Sequence, residues 1–394
     1  MSLFESLPYE MEDPVFALAD SFRVDERQDK VNLGVGVYYN EEGNFCEMEA
    51  VSLAARDCKY KRRYQPIDGD GEFVELVQSL LLGENVYSKH SGSLYGAQTL
   101  GGTGALRSGA NFLKEHLDAP VYIPDTTWGN HLKIFGATGA NIIRYPYLKK
   151  DSREIEWEGM QTALLSAPKG SVVILHACCH NPSGVDLTTA MWDRMGDIVL
   201  ERNLLPFFDI AYQGFAQDIE SDTYSIRCFL DMGIEFLVAY SCSKNFGLYG
   251  ERVGMLTAVI KDGDMKNRFK NNLKKIIRTT YSSPPRHGAH LVKTILASKD
   301  LRDIWQKELT LMRQRIVDMR YMLADLLENK GVLFKEIKCH NGFFSQLPLS
   351  SDAIDRLRHE DAIYMLDNGR INFAGLNLNN INCVAEALAK EWRI

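Results

Sequence analysis

The sequence has no long hydrophobic run and no excess of positive charge. No stretch of its 394 residues approaches the roughly 18 consecutive apolar residues that a membrane-spanning helix requires. Residues 1–5 lack the basic and apolar regions of a signal peptide. The formal net charge is −7, and the one basic run, residues 266–278, has the pattern of a solvated helix face. We therefore expect a cytoplasmic protein that binds neither membranes nor nucleic acid.

Regular cysteine spacing is also missing. Eight cysteines in a chain of this length do not form a disulfide framework, and in the cytoplasm they would stay reduced. Four potential metal ligands do lie close together, at His176, Cys178, Cys179 and His180. Zinc ligands usually come as two separated pairs, and the sequence has no evident second pair. A metal site is therefore an alternative that we do not favour, and we predict no bound metal.

Several motifs of other enzyme classes are absent. The chain has no Gly-x-Ser-x-Gly, no His-Glu-x-x-His and no Walker A loop, which argues against a serine hydrolase, a zinc protease and a P-loop enzyme. Residues 101–104, Gly-Gly-Thr-Gly, precede a helical pattern that begins at Ala105, so their amides could bind an anion at the helix N-terminus. A glycine cluster is more often only a tight turn, so this element alone does not identify a phosphate site.

Short apolar runs alternate with amphipathic segments in the middle of the chain. This alternation predicts an α/β fold with a mainly parallel sheet, in which residues 189–200 form one of the helices. The predicted strands are residues 120–123, 171–175, 205–208, 236–240 and 254–260. Residues 303–329 form one long helical pattern. The short apolar segments after it suggest a small α+β unit at the C-terminus.

Polar residues follow three of the predicted strands. They are Asn181, Asp209, Tyr212, Ser241, Ser243 and Lys244. Ligands of open α/β sheets bind at the carboxyl ends of the strands, so these side chains could converge on one site. Each has an ordinary structural explanation when taken singly, since an aspartate can cap a helix, a tyrosine can pack in the core and a lysine can extend into solvent. Their shared position favours a site.

Lys244 is the strongest candidate for a chemical role. Between two serines and directly after a buried strand, its amine would be partly desolvated. Desolvation lowers the pKa of an ammonium group and frees the amine to form a Schiff base. Arg252, eight residues later, could bind a phosphate together with Ser241 and Ser243 through charge-assisted hydrogen bonds. These residues therefore predict a phosphate site beside a reactive amine.

Four segments resemble the fold type I aminotransferases, in particular the aspartate and aromatic amino acid aminotransferase branch. They are residues 98–107 (QTLGGTGALR), 178–184 (CCHNPSG), 208–215 (FDIAYQGF) and 243–254 (SKNFGLYGERVG). The resemblance covers nearly the whole chain and implies a pyridoxal 5′-phosphate cofactor in a large α/β domain with a mainly parallel, seven-stranded sheet. It also implies a small α+β domain built from both chain ends. The implied parts are an arm at residues 1–14, a small domain at 15–35 and 312–394, and a large domain at 36–311.

The resemblance also implies roles for individual residues. Lys244 would form the Schiff base and Asp209 would pair with the pyridine nitrogen of the cofactor, which keeps the ring protonated as an electron sink. Asn181 and Tyr212 would hydrogen-bond the phenolic oxygen, and Trp128 would stack on the ring. His131 and His176 would lie near Asp209. The implied phosphate ligands are Gly102, Thr103, Ser241, Ser243, Arg252 and, from a neighbouring subunit, Tyr64.

Substrate carboxylates call for planar, bidentate partners, which is the chemistry of arginine. By resemblance, Arg370 would bind the α-carboxylate, and Arg278 of a neighbouring subunit would bind the distal carboxylate. Gly36, Trp128 and Asn181 would also contact the substrate. The implied protein is a homodimer with shared sites for small amino acids and 2-oxo acids. Its implied reaction is ping-pong amino transfer from aspartate to 2-oxoglutarate, which gives oxaloacetate and glutamate.

Three alternatives to this function stay open. Both branches of the family keep an arginine like Arg278, so the enzyme could instead act on tyrosine and phenylalanine, or on both substrate classes. A lyase or decarboxylase is more remote, because Lys244 and Asp209 would serve those reactions of the same cofactor as well. A non-catalytic binding protein is a further alternative, against which the intact Lys244, Asp209, Tyr212 and Arg370 argue.

Overall fold

The computed structural model describes residues 2, 4–9, 12–56, 63–149 and 153–392. Residues 1, 3, 10 and 11 of the predicted arm lie outside the described residues. The strands are β1 (Val31–Asn32), β2 (Leu94–Leu100), β3 (Val121–Pro124), β4 (Ile142–Tyr145), β5 (Val172–His176), β6 (Leu205–Ile210), β7 (Phe236–Ser241), β8 (Val253–Val259), β9 (Phe344–Gln346), β10 (Ile363–Tyr364) and β11 (Arg370–Asn372).

Helices surround these strands. They are α1 (Pro14–Val24), α2 (Glu49–Arg56), α3 (Gly71–Leu82), α4 (Glu84–His90), α5 (Gly101–His116), α6 (Asn130–Gly136), α7 (Trp157–Leu165), α8 (Thr189–Arg202), α9 (Tyr224–Asp231), α10 (Gly263–Thr280), α11 (His287–Ala297), α12 (Lys299–Asn329), α13 (Ser351–His359) and α14 (Ile381–Trp392). Within the described residues, no helix combines the length and hydrophobicity that crossing a membrane requires.

Strands β2 to β8 form one seven-stranded sheet in the order β2-β8-β7-β6-β5-β3-β4. The strands β3 to β7 pair in parallel, whereas β8 runs antiparallel to both β2 and β7. The mainly parallel, seven-stranded sheet implied by the resemblance is therefore confirmed. All five strands predicted from apolar runs are present, and their ends differ from the prediction by at most two residues. The runs did not indicate β2 and β4, because several side chains of these edge strands stay partly exposed.

The sheet is buried between two layers of helices. Neighbouring side chains of a strand point to opposite faces, so Phe207 packs towards α5 while Phe208 packs against Trp192 of α8 and Phe229 of α9. Helix α5 approaches closely at Gly109, where a Cβ atom would lie 2.4 Å from the Phe207 ring. A larger residue at Gly109 would push α5 away from the strands that carry the polar residues.

The two ends of the chain pair with each other. Strand β1 near the N-terminus pairs in parallel with β10, and within the C-terminal region β9 pairs antiparallel with β11. The predicted long helix is present as α12, which begins at Lys299 with Ser298 as its cap. The apolar segment at residues 332–337 forms no strand and ends in a 3₁₀ turn at Lys335–Cys339. Arg370, the first residue of β11, donates a hydrogen bond to Asn181, which follows β5 of the large sheet.

Candidate active site

A cavity of about 260 Å³ lies at the carboxyl ends of the central strands. His176 ends β5, Asp209 lies one residue before the end of β6, and Ser241 ends β7. The three polar segments predicted to converge do meet here. The expected site residues that line the cavity are Gly36, Gly102, Thr103, Trp128, His176, Asn181, Asp209, Tyr212, Ser241, Ser243, Lys244, Arg252 and Arg370.

Lys244 projects into this cavity three residues after the end of β7. Its Nζ atom lies 5.1 Å from the centre of the Tyr212 ring. Burial lowers the pKa of Lys244 to about 8, although the charge of Asp209 raises it, and the charges of Arg252 and Arg370 add smaller lowering effects. A neutral amine is therefore accessible near physiological pH, which a nucleophile or a general base needs.

Asp209 occupies the sheet end of the cavity. Its Oδ2 atom lies 3.0 Å from Nε2 of the fully buried His131, whose Nδ1 lies 2.8 Å from Thr127 Oγ1. Burial raises the pKa of Asp209, but the hydrogen bond and charge of His131, together with the charge of Lys244 and other neighbours, outweigh burial, and the pKa is lower than usual. A buried anion therefore faces the cavity. His131 does not line the cavity and supports Asp209 from behind.

His176 lies beside this pair, with ring centres 5.0 Å apart from His131. Neither ring nitrogen of His176 has a hydrogen-bond partner among the described residues. Burial, and the neighbouring His131, lower the pKa of His176 to about 3. The imidazole is therefore neutral near pH 7 and adds no positive charge beside Asp209.

The opposite end of the cavity suits an anion. Helix α5 begins at Gly101, not at Ala105 as predicted, so the glycine cluster forms its first turn. The early N–H groups of a helix have no partner within the helix, and Gly102 with Thr103 line the cavity. A Cβ atom on Gly102 would lie 3.0 Å from that of Ser241, so the close approach requires glycine. The first turn of a helix in this position could bind an anion such as a phosphate group.

Arg252 completes this anion-binding end. Its Nη1 atom donates to Ser243 Oγ at 3.4 Å, and Ser241 Oγ donates to Ser243 Oγ at 3.1 Å. A Cβ atom on Gly101, whose φ is +67°, would lie 2.5 Å from Nη2 of Arg252. The guanidinium of Arg252 therefore lies directly against the start of α5. The hydroxyls of Ser241 and Ser243 lie at the same end of the cavity as this cation.

Arg370 forms a second cationic position in the cavity. It is 5% exposed, and it donates from Nη1 to Asn181 Oδ1 at 3.1 Å and from Nη2 to the Gly34 carbonyl at 2.6 Å. The guanidinium lies 4.1 Å from the centre of the Phe344 ring. Burial lowers its pKa to about 10, so it stays charged at neutral pH. No carboxylate of the described chain forms a salt bridge with it, which leaves the charge available to a ligand.

Two expected site residues lie elsewhere on the chain. Tyr64 is 92% exposed and does not line the cavity. Arg278 is exposed near the end of α10, where it donates a hydrogen bond to Ser282 Oγ. Both were expected to act from a neighbouring subunit, so a position at the surface is compatible with that role.

Four cavity residues were not among the expected site residues. Val15 of α1, Cys178, Ala211 and Phe344 of β9 also line the cavity. Cys178 and Ala211 belong to segments that carried the resemblance, so the predicted site residues next to them in the sequence could have indicated that they line the cavity. Val15 of α1 and Phe344 of β9 come to the site from opposite ends of the chain, and no local pattern marks them.

The potential metal ligands at residues 176–180 divide into two groups. His176 lies with His131 and Asp209, whereas Cys178 and Cys179 lie with Asp222, each group having ligand atoms within 4.8 Å. Both carboxylates already accept hydrogen bonds, Asp209 from His131 and Asp222 from backbone amides. The four residues singled out in the sequence do not form one ligand group among the described residues.

Comparison with known proteins gives full-length matches. A family model described as aminotransferase class I and II matches residues 28–388. An aspartate aminotransferase from Pseudomonas aeruginosa is 41% identical over 396 residues, which cover 99% of this chain and 100% of the relative. These similarities extend over the cavity and both chain ends.

Solved structures of relatives show the same fold. An aromatic-amino-acid aminotransferase from Burkholderia pseudomallei, covalently bound to pyridoxal phosphate, is 43% identical with a TM-score of 0.95, covering 99% of both chains. A psychrophilic aromatic amino acid aminotransferase from Psychrobacter sp. B6, cocrystallised with aspartic acid, is 39% identical with a TM-score of 0.97, covering 100% of both chains. The fold and these full-length matches define the class of protein to which the chain belongs. The chain belongs to the class I and II aminotransferase family.

Proposed function

We propose that this protein is a pyridoxal 5′-phosphate-dependent aminotransferase that exchanges the amino group of aspartate with 2-oxoglutarate by a ping-pong reaction, giving oxaloacetate and glutamate. One observation carries the proposal. The Lys244 amine, with a pKa of about 8, shares a cavity with the Asp209 anion and the Arg370 cation. These are the amine, the partner of a ring nitrogen and the carboxylate receptor that amino transfer requires.

The residues present fit the cofactor. The phosphate would bind at Gly102, Thr103, Ser241, Ser243 and Arg252, where the glycine turn at the start of α5 meets the cation of Arg252. Asp209 would face the pyridine nitrogen, with His131 behind it and His176 beside it. Tyr212 and Asn181 would hydrogen-bond the phenolic oxygen, Trp128 would cover the ring and Lys244 would attach it covalently. When bound, pyridoxal phosphate supplies the carbonyl that reacts with amines and the ring that accepts electrons from the substrate Cα.

The side chains of this protein then supply binding and proton transfer. Arg370 would bind the α-carboxylate of the substrate with planar, bidentate geometry, beside Gly36 and Asn181. Lys244 Nζ would accept the proton from the substrate Cα, and its pKa of about 8 suits a general base near neutral pH. Burial raises the pKa of Tyr212, so its hydroxyl stays protonated and can donate a hydrogen bond.

Aspartate is the proposed donor, and an aromatic donor is the second candidate. The curated relatives include an aspartate aminotransferase that is 41% identical to this chain. They also include an aromatic-amino-acid aminotransferase at a similar level, 38% identity. One aromatic enzyme of similar fold was cocrystallised with aspartic acid. Arg278 would bind the distal carboxylate of aspartate, and its side chain could also leave room for an aromatic ring.

Assembly and location belong to the same proposal. Because Tyr64 and Arg278 lie outside the cavity of their own chain, they would complete the site of a neighbouring subunit in a cytoplasmic homodimer. The arm at residues 1–14 would contact that subunit. The small domain would comprise residues 15–35 and 312–394, and the large domain residues 36–311. The pairing of β1 with β10 supports a small domain made from both chain ends.

The first test is the visible absorbance of the cofactor in the purified enzyme. Aspartate or phenylalanine is added separately without a 2-oxo acid, and the loss of absorbance is followed. If the absorbance is lost with low concentrations of aspartate but not with phenylalanine, the result supports the aspartate enzyme. Comparable loss with both donors supports dual specificity, and the absence of any pyridoxal absorbance contradicts the whole proposal.

A further inference from the structure

A buried chain of hydrogen bonds joins the segments that carry Lys244 and Tyr212. Asn245, which directly follows Lys244, donates from Nδ2 to Tyr240 Oη at 2.8 Å. Tyr240 Oη in turn donates to Oε1 of Gln213 at 2.8 Å. Gln213 directly follows Tyr212. A single tyrosine hydroxyl therefore bridges the two residues next to the proposed base and the proposed cofactor ligand.

The direction of each hydrogen bond in this chain is determined by chemistry. Gln213 Nε2 donates to the carbonyls of Leu80 at 3.0 Å and Ile219 at 2.7 Å, which fixes Oε1 as the acceptor. The Tyr240 hydroxyl must then donate to Gln213 and accept from Asn245. None of the three side chains is more than 1% exposed, so water does not compete for these groups.

Tyr240 acts from outside the cavity. Side chains alternate along a strand, so Tyr240 points to the face opposite Ser241, which lines the cavity at the end of β7. Tyr240 does not line the cavity itself. Its influence on the site must therefore pass through Gln213 and Asn245.

Both ends of this series of hydrogen bonds are anchored by further contacts. The Asn245 carbonyl accepts a hydrogen bond from Trp305 Nε1 of α12 at 2.6 Å. Behind Gln213, the buried Asp222 carboxylate accepts the backbone N–H groups of Gly214 at 2.8 Å and Gln217 at 2.8 Å. A loop held this tightly transmits a shift at Gln213 to Tyr212, because it cannot relax locally.

We propose that Tyr240 is a positioning residue for amino transfer, whose hydroxyl sets the spacing between Lys244 and Tyr212 by bridging Asn245 and Gln213. The proposal rests on the function proposed above. Tyr240→Phe removes the bridge but keeps the ring in the core. It leaves the Gln213 oxygen and the Asn245 amide buried without their partner.

The first readout needs no cofactor. In the cofactor-free protein, amide hydrogen exchange at residues 213–218 and 245–248 is expected to become roughly 10-fold faster in Tyr240→Phe, because an unsatisfied buried group favours local opening. Tyr145→Phe is the matched control, since Tyr145 is 1% exposed and its hydroxyl donates to the Ile174 carbonyl at 2.8 Å. That substitution loses a buried hydroxyl on β4, which has no hydrogen bond to either of these described segments, and is expected to leave their exchange unchanged.

The second readout uses the holoenzyme. Tyr240→Phe is expected to shift the pH midpoint of the cofactor absorbance and to lower kcat roughly 10- to 100-fold, with a smaller change in KM, because misplaced reacting groups slow chemistry more than binding. Combining Tyr240→Phe with Asn245→Ala is expected to cost less than the sum of the two single effects, since both break one contact. Tyr145→Phe is expected to change neither the midpoint nor kcat.

The outcomes separate this proposal from the function itself. Suppose that the wild-type enzyme transfers amino groups and that Tyr240→Phe has the same amide hydrogen exchange, the same pH midpoint of the cofactor absorbance and the same kcat. The role of Tyr240 is then overturned and the function stands. Equal effects of Tyr240→Phe and Tyr145→Phe also overturn it, since the loss would then be general. A wild-type protein that neither binds pyridoxal phosphate nor transfers amino groups overturns both.

Discussion

Nε2 of His131 lies 3.0 Å from Oδ2 of Asp209, in a position where the carboxylate faces the cavity and the imidazole is fully buried. This contact keeps the pKa of Asp209 below its usual value although burial alone would raise it. The buried negative charge next to the proposed ring position therefore depends on a residue that does not reach the cavity.

Asp209→Asn is expected to lower kcat by roughly 100- to 1000-fold, because it removes a preorganised charge while keeping the side-chain shape. His131→Asn is expected to have a smaller effect, since the carboxylate remains. Steady-state kinetics with aspartate and 2-oxoglutarate measure both variants. Asp193→Asn, a change at the surface pair of Asp193 and Tyr224, serves as the control. A kcat of Asp209→Asn close to that of the wild type would contradict the assignment.

Arg370→Lys is expected to lower kcat/KM for the amino donor by about 10- to 100-fold, because lysine keeps the charge but loses the paired hydrogen bonds to a carboxylate. Kinetics at several donor concentrations measure it. Arg315→Lys is the control, since Arg315 is also partly buried and donates to the Leu376 carbonyl at 2.6 Å, away from the cavity. The assignment fails if both variants lose activity equally.

Hybrid dimers test whether Arg278 acts across subunits. Lys244→Ala and Arg278→Leu are each expected to be nearly inactive towards aspartate as separate proteins. After the two are mixed and their subunits exchange, each hybrid dimer would contain one site with an intact Lys244 and the partner's intact Arg278. Aspartate activity is therefore expected to rise on mixing. Activity that stays at the level of the separate variants would place Arg278 in its own subunit or outside the site.

Lys244→Met is expected to stabilise the cofactor-free protein at pH 7 by about 3 kcal/mol, because the folded protein must protonate a buried amine whose pKa has fallen from 10.5 to about 8. Between pH 8 and 10.5 the unfolded chain binds more protons than the folded one, so the wild-type free energy of unfolding rises with pH and the difference between the two proteins disappears. Denaturant unfolding of both proteins at a series of pH values measures this window.

Lys293→Met is the control for these unfolding measurements, and its expected effect on stability has the opposite sign. Lys293 forms salt bridges with Asp70 at 2.9 Å and with Glu72 at 3.1 Å, and its pKa is raised because these hydrogen bonds outweigh burial. This substitution is therefore expected to destabilise the protein at pH 7. If Lys244→Met destabilises the protein in the same way, the amine of Lys244 is not under a burial penalty.

Local patterns were sufficient for much of the site. Asp209, Ser241 and Lys244 follow buried apolar runs, and the end of a buried strand in an open α/β sheet is where a ligand site forms. The structure brings these segments together at one cavity, which confirms the convergence. The start of α5 was placed four residues too late, because glycine weakens the helical pattern of a first turn that here begins at Gly101.

Contacts between distant parts of the chain were not accessible in this way. Val15 of α1 and Phe344 of β9 line the same cavity although they lie far apart in the sequence, and such long-range proximity leaves no periodic signal in either segment. The bridge from Tyr240 to Gln213 joins residues 27 apart, and an apolar strand predicts only that Tyr240 is buried. The domain boundaries and the subunit contacts of Tyr64 and Arg278 stay predictions.

The amino-acid sequence by itself determined the α/β class, the central strands and the residue types at their ends, because periodicity and burial are local properties of a chain. Only the tertiary structure decided that Lys244 has a pKa of about 8, that Asp209 is held ionised by His131 and that Arg370 faces an open cavity. Those properties arise from desolvation and from charges brought within a few ångströms by folding, and neither is encoded in the spacing of neighbouring residues.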